Sequence, residues 1–149
     1  MKPSIFFVAS HPMSVVAFML PHIRALRCLA SVQVLANTRD NSFLQLRGLD
    51  MPIVPVPVVR SIAPLADLKA LWILYLRFKS CGPTVVHTIT PKAGLLGMGA
   101  AWMARVPVRV HSFTGQVWVT RRGPMRWLLK TLDKFIAGMA TQVLVDSPS

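Results

Sequence analysis

Glutamate is absent from this chain, and its five acidic side chains are all aspartates: Asp40, Asp50, Asp67, Asp133 and Asp146. That excludes chemistry built on glutamate, such as an HExxH metalloprotease helix or a pair of glutamates in acid–base roles. The aspartates are too scattered to suggest a metal cluster, and His11, His22, His87 and His111 lack metal-ligand spacing, so no metal is expected. Cysteine is nearly missing too. Cys28 and Cys81 form no CxxC pattern, so neither a zinc site nor a disulfide framework is indicated; reduced, half-buried thiols in a cytoplasmic chain are expected. There is no GxGxxG, because the loop after the first apolar run reads Ser10-His11-Pro12-Met13-Ser14. A nicotinamide site is therefore excluded, and no cofactor is expected. Nor does any apolar run approach the roughly 20 residues of a membrane span. The best candidate, residues 65–78, is interrupted by Asp67, Lys69 and Arg77, and the apolar run at 5–9 is broken by His11-Pro12, so it reads as a buried first strand rather than a leader.

What is present is an alternation of short apolar runs with helical patterns. The runs at 5–9, 32–36, 53–58, 84–88, 108–110 and 142–145 read as strands. Helical spacing occupies 14–29 with a late start at Pro21, then 65–79 up to Gly82-Pro83, 93–104 and 120–140, while 40–50 reads as a small helix or loop. Pro55 and Pro57 put the third strand at an edge, where a missing donor is tolerated. The expected fold class is α/β: a three-layer Rossmann-like domain with a mostly parallel sheet, helices on both faces, and strand 84–88 central beside 108–110. With 149 residues and 53% hydrophobic composition, one domain spanning 1–149 is expected.

Residues 84–115, TVVHTITPKAGLLGMGAAWMARVPVRVHSFTG, form a compact strand–helix–strand unit with a polar loop after each strand. Ligands bind at that carboxyl edge in open parallel sheets, so Thr90, Lys92, His111, Ser112, Thr114 and Gly115 are candidate site residues. Lys92 is the strongest, since its ammonium adds to the positive end of the helix that begins near Ala93 and so suits a phosphate; the alternative is a solvated lysine in a capping turn. Ser10, His11 and Ser14 offer side-chain hydrogen bonds to an anion at a helix start. His87 fits either a catalytic role or a satisfied buried imidazole, and its parity does not decide which sheet face it takes. Gly94, Gly97 and Gly99 read as positions of close helix–sheet approach.

Seventeen Lys and Arg against five Asp give a formal charge of +12, which points to an anionic partner. Nucleic acid is disfavoured because groove-binding motifs and basic–aromatic interleaving are missing. An anionic membrane surface fits better: Arg121, Arg122, Arg126, Lys130 and Lys134 surround Trp127, Leu128, Leu129, Leu132, Phe135 and Ile136 at helical spacing. The competing reading is an ordinary core stripe with a solvated basic face.

The sequence His87-Thr88-Ile89-Thr90-Pro91-Lys92-Ala93-Gly94, the Gly/Ala-rich helix, Val106-Pro107-Val108 and the turn from His111 to Gly115 together resemble the N-terminal domain of family 4 glycosyltransferases of GT-B architecture. Residues 21–26 resemble that family's first-helix segment, and residues 120–149 its helix leading into a final strand. The resemblance implies a retaining hexosyltransferase of two Rossmann-like domains, the N-terminal one holding the acceptor and the C-terminal one the nucleotide-sugar donor. The family's pair of donor-site glutamates belongs to the second domain, so this chain is expected to be a fragment without it, inactive alone. Acceptor binding falls to Thr90, Lys92, His111, Thr114 and Ser14, with Lys92 toward the phosphate of a lipid-linked glycan acceptor in cell-surface polysaccharide synthesis. The implied location is cytoplasmic, peripheral at the inner membrane face, with Arg121, Arg122, Arg126 and Lys130 facing the membrane. Two departures stand out. Thr114 takes the place of a second family histidine and cannot act as a base, and Ser-His-Pro replaces a loop that is often glycine-rich. The alternative to a transferase is a non-enzymatic Rossmann-like domain that binds an anion or a partner protein.

Overall fold

The computed structural model describes residues 3–10, 20–37, 53–58, 63–89, 91–113 and 122–145. Within them lie strands β1 (Ser4–Val8), β2 (Ser31–Ala36), β3 (Ile53–Pro55), β4 (Val85–Ile89), β5 (Val108–Phe113) and β6 (Gln142–Val145). They form one sheet in the order β3-β2-β1-β4-β5-β6, every neighbouring pair parallel. Helices α1 (Leu20–Leu26), α2 (Pro64–Cys81), α3 (Pro91–Met103) and α4 (Pro124–Met139) connect them. This is the doubly wound Rossmann-like order.

β1 and β4 lie at the centre because their sequences, SIFFV and VVHTI, do not alternate in polarity and are buried on both faces. Parity along them divides the core in two. Phe6, Val8 and Val86 pack under Ala70, Leu74 and Phe78 of α2, Leu96 and Met98 of α3 and Ile136 of α4. Ile5, Phe7, Ala9 and Ile89 pack instead with Leu20 and Ile23 of α1. The two clusters are the two interlayer cores of a three-layer α/β domain.

The expected edge position of β3 holds, but the strand is shorter than 53–58. Pro55 and Pro57 cannot donate to a ladder, and the pairing with β2 ends at Ala36 opposite Pro55. Val56 still donates its N–H to the Ala36 carbonyl at 3.0 Å. α2 stops where Gly82 takes a left-handed conformation, φ 59° and ψ 53°, and gives its N–H to Phe78 at 3.0 Å. β5 runs three residues beyond Val110, since it pairs with β4 and β6 on both sides. The first described helix starts at Leu20, and α4 starts at Pro124; the expectations for 14–19, 40–50 and 120–121 lie outside the described residues. Cys28 and Cys81 are exposed, not half-buried: one follows α1 and the other ends α2. Among the described residues no helix is long and apolar enough to cross a membrane.

α3 lies unusually close to the sheet. A Cβ on Gly97 would stand 2.5 Å from Cγ2 of Thr88, and one on Gly94 would overlap the His111 imidazole. Gly99 differs, since its Cβ would meet Leu71 Cδ1 at an ordinary 3.6 Å. Alanine stabilises a helix interior by about 1 kcal/mol over glycine, whereas overpacking costs about 1–3 kcal/mol. Gly97→Ala should therefore lower stability by up to about 2 kcal/mol, while Gly99→Ala should be neutral or stabilising. Urea unfolding of the two variants checks this, and equal shifts would mean that α3 is free to move outward.

Candidate functional site

The chain winds one way from β1 to β2 and the other way from β4 to β5, so a crevice opens outside the carboxyl ends of β1 and β4. Around it stand Ser10 after β1, His87 and Thr88 on β4, His111 and Ser112 on β5, His22 on α1 and Lys92 in the first turn of α3. Strand parity sends the two strand histidines to opposite faces.

His87 is in register with Phe7 and shares its face, toward α1. Its ring lies 5.2 Å from that of Phe7 and 5.9 Å, edge-on, from that of His22. Its Nε2 shares a 2.7 Å hydrogen bond with Ser112 Oγ. Burial, then the nearby His22 and His111, lower its pKa from 6.5 to about 4. At neutral pH it is an uncharged imidazole, 7% exposed, able to accept or donate one hydrogen bond at Ser112. The reading of His87 as a satisfied, buried group agrees with this, and the face it could not assign is that of α1.

His111 takes the opposite face, under α3. Its Nδ1 is 2.7 Å from Thr88 Oγ1, Phe113 meets it edge-on at 4.5 Å, and Gly94 lies against its ring. Burial lowers its pKa to about 4. At 1% exposure this imidazole is enclosed, so what it does directly is fix β4 to β5 beneath α3.

Lys92 is not a lone cation. Its Nζ lies 2.6 Å from Asp67 Oδ1, with both side chains largely buried. A lysine in a first turn is opposed by the helix dipole, and an acid in a first turn is favoured by it. Asp67, in the first turn of α2, thus supports both helix ends at once. Of the other expected site residues, His11, Ser14, Thr90, Thr114, Gly115 and Arg121 lie outside the described residues. Arg122, Arg126 and Lys130 are exposed at α4. On that helix Ile136 and Met139 are buried, whereas Trp127 and Phe135 are 70% and 60% exposed, so the expected apolar stripe serves the core only in part. His22 and Asp67 escaped the sequence reading because their partners are distant; the only local signal was an acid in a first turn.

The two depressed histidines have a measurable consequence. Between pH 6.5 and about 4 the unfolded chain binds protons that folded His87 and His111 refuse. Stability is then complete above pH 6.5 and falls as pH drops toward 4, by at most about 1.4 kcal/mol per pH unit for each group. Denaturant midpoints across that range should show the decline, and His87→Asn should flatten it. An unchanged slope would place the acid sensitivity elsewhere.

Comparisons with known proteins fit this architecture. CapM, a capsular polysaccharide biosynthesis glycosyltransferase of Staphylococcus aureus, is 34% identical over 94 residues, covering 63% of this chain and 25% of CapM. The UDP-Gal:alpha-D-GlcNAc-diphosphoundecaprenol alpha-1,3-galactosyltransferase of Escherichia coli is 35% identical over 86 residues, 57% of this chain and 22% of that protein. Among solved structures, MurG of Acinetobacter baumannii superposes with a TM-score of 0.73 at 17% identity over 99% of this chain and 42% of MurG. The UDP-GlcNAc 2-epimerase of Methanocaldococcus jannaschii gives 0.71 at 18% identity over 99% and 40%. At such identities the superpositions establish the fold, which is that of one Rossmann-like domain of GT-B proteins. The matches span about a quarter of these curated relatives and two fifths of these structures. The glycosyl transferase 4-like domain model matches residues 6–149, nearly the whole of the sheet and its helices, and the chain belongs to that family.

Proposed function

We propose that residues 1–149 form the acceptor-side domain of a retaining glycosyltransferase that moves a hexose from a nucleotide-sugar donor to a lipid-linked glycan in cell-surface polysaccharide synthesis. The observation that carries this is the family match over 6–149, which spans a sheet with Ser112 and Lys92 toward its carboxyl edge. The names of two relatives support the substrate classes: one acts in capsular polysaccharide synthesis, the other takes a galactosyl group from UDP to a diphosphoundecaprenol-linked sugar. On this reading the neutral His87–Ser112 pair orients an acceptor hydroxyl on the α1 side. Thr90, Thr114 and Ser14 complete the acceptor site, His111 supports it from beneath α3 without reaching the acceptor, and Lys92 exchanges its Asp67 contact for an acceptor phosphate. The donor is held by a second domain, and Arg121, Arg122, Arg126 and Lys130 set the cytoplasmic domain against the anionic inner membrane face.

A short-chain prenyl-diphosphate N-acetylglucosamine is a suitable probe. The 149-residue chain should bind it and should not turn over UDP-galactose with it. Lys92→Gln should weaken binding by about tenfold or more, as expected for a lost charge-assisted hydrogen bond. Asp67→Asn breaks the same ion pair but should leave affinity unchanged or higher. Calorimetric titration separates the cases. Equal losses in both variants would reduce Lys92 to a helix tie, and absence of any binding would refute the acceptor-side assignment.

A further inference from the structure

The polar groups on the α1 side of the crevice are hydroxyls and imidazoles. His87 Nε2 and Ser112 Oγ lie 2.7 Å apart, the buried Ser10 follows β1, and the wall beside them is apolar, with Phe7, Leu20, Ile23 and Ile89 packed together. His22, exposed on α1, meets the His87 ring edge-on at 5.9 Å. Burial first, then the neighbouring histidines, hold the pKa of His87 at about 4, so it is uncharged at neutral pH. Among the described residues, α1 and the turn after it bring two arginines, Arg24 and Arg27. They lie two and five positions beyond His22, neither at the three- or four-residue spacing that would share its face. The helix also carries them away from the carboxyl edge, toward the amino edge where β2 begins. Lys92 stands on the other side of the sheet, against Asp67.

A sugar hydroxyl and a sugar carboxylate fare differently against these groups. A hydroxyl both gives and accepts a hydrogen bond, so it fits Ser112 Oγ whichever way the proton between Ser112 and His87 lies. A carboxylate only accepts. If Ser112 gives its proton to His87, it turns lone pairs toward the carboxylate; if His87 is the donor, Ser112 offers one hydrogen bond and no cation. In both cases a charge moved from water to this apolar wall goes unpaired, which is costly. Position 22 is where a cation could be added beside His87 while staying in contact with water. We infer that the α1 side of the crevice admits the acceptor's sugar as an uncharged, hydroxyl-bearing ring and rejects a uronic acid, with position 22 governing the choice. This rests on the acceptor-side reading above and gives it a class of sugar.

Three probes that differ only at the sixth carbon of the sugar isolate the charge: a short-chain prenyl-diphosphate N-acetylglucosamine, its carboxylate and its carboxamide. All carry the same diphosphate, so contacts to that group cancel between them. The 149-residue chain is titrated with each by calorimetry at about pH 8, where imidazoles are uncharged. Salt of about 0.15 M screens the long-range pull of the +12 chain on an extra anion. The parent sugar and the carboxamide should bind within about threefold of each other, and the carboxylate at least about tenfold more weakly. His22→Arg, an exposed change that sets a guanidinium beside the His87 ring, should narrow the gap between parent sugar and carboxylate by about tenfold, whereas His22→Gln adds no charge and should leave the gap as it is. Equal affinity for parent sugar and carboxylate overturns the inference, and so does a carboxamide as weak as the carboxylate, which would make the selection one of shape. A gap that ignores His22→Arg in a variant with the wild-type urea midpoint overturns it too. These three outcomes leave the acceptor-side reading standing. Absence of binding by all three probes overturns both.

Discussion

The arrangement of the carboxyl edge depends on how closely α3 rests on β4 and β5. With no side chain at Gly94 and Gly97, the helix comes down onto Thr88 and His111, and the Thr88–His111 hydrogen bond is sealed beneath it. That contact fixes the level of the first turn of α3, and with it the height of Lys92 above the crevice. The same hydrogen bond holds β4 in line with β5, which brings Ser112 within 2.7 Å of His87 on the other face. A buried polar pair under α3 thus positions a polar pair under α1. Desolvation favours the neutral form of both imidazoles, so the edge is held by hydrogen bonds between uncharged groups rather than by charges that would need pairing.

The surplus of positive charge is distributed unevenly. Some of it is used inside the fold: Arg109 gives its Nη1 to the Val106 carbonyl at 2.9 Å and its Nε to Met139 at 2.5 Å, closing the end of α4. Arg77 gives its Nη2 to Gln33 Oε1 on β2 at 3.1 Å. Lys92 is matched with Asp67. Among the described residues, much of what is left at the surface stands on or beside α2, α3 and α4, in company with most of the large exposed apolar side chains, while Arg24 and Arg27 are exposed at α1.

Most of the architecture was legible in the sequence because backbone rules are local. Two-face burial marked β4 as central, prolines marked β3 as an edge, Gly82 marked the end of α2, and residues 142–145 were placed without error. Strand ends were less legible: β5 outran its apolar run through His111, Ser112 and Phe113, since pairing on both sides matters more there than polarity. The site was legible as a sheet edge and as residue types, not as contacts. Nothing local in TITPKAG reveals that Lys92 answers to Asp67, 25 positions earlier, or which face His87 takes; both follow from helix packing and strand register. The helices misled in one respect. An apolar stripe at helical spacing was weighed as core on α4 alone, yet α2 carries two such stripes, and only accessibility tells the inward one from the outward one.

The sheet separates two kinds of chemistry. On the α1 side the carboxyl edge presents uncharged hydrogen-bonding groups, His87 and Ser112 with His22 nearby, suited to hydroxyls in fixed geometry. On the other side three helices present tryptophan, leucine and cations, suited to a surface that is apolar within and anionic at its border. A lipid-linked sugar, the acceptor class proposed above, has the same division: a polar head, an anionic diphosphate and a hydrocarbon tail. Lys92 stands where the two sides meet, in the first turn of α3 and against the first turn of α2, with its charge balanced by Asp67. On the proposed reading, an acceptor with its head at β4 and β5 would place its diphosphate near that lysine and leave its hydrocarbon tail to the side of the sheet that carries α4, so the proposed α4 membrane contact and the proposed acceptor site impose one orientation on the domain.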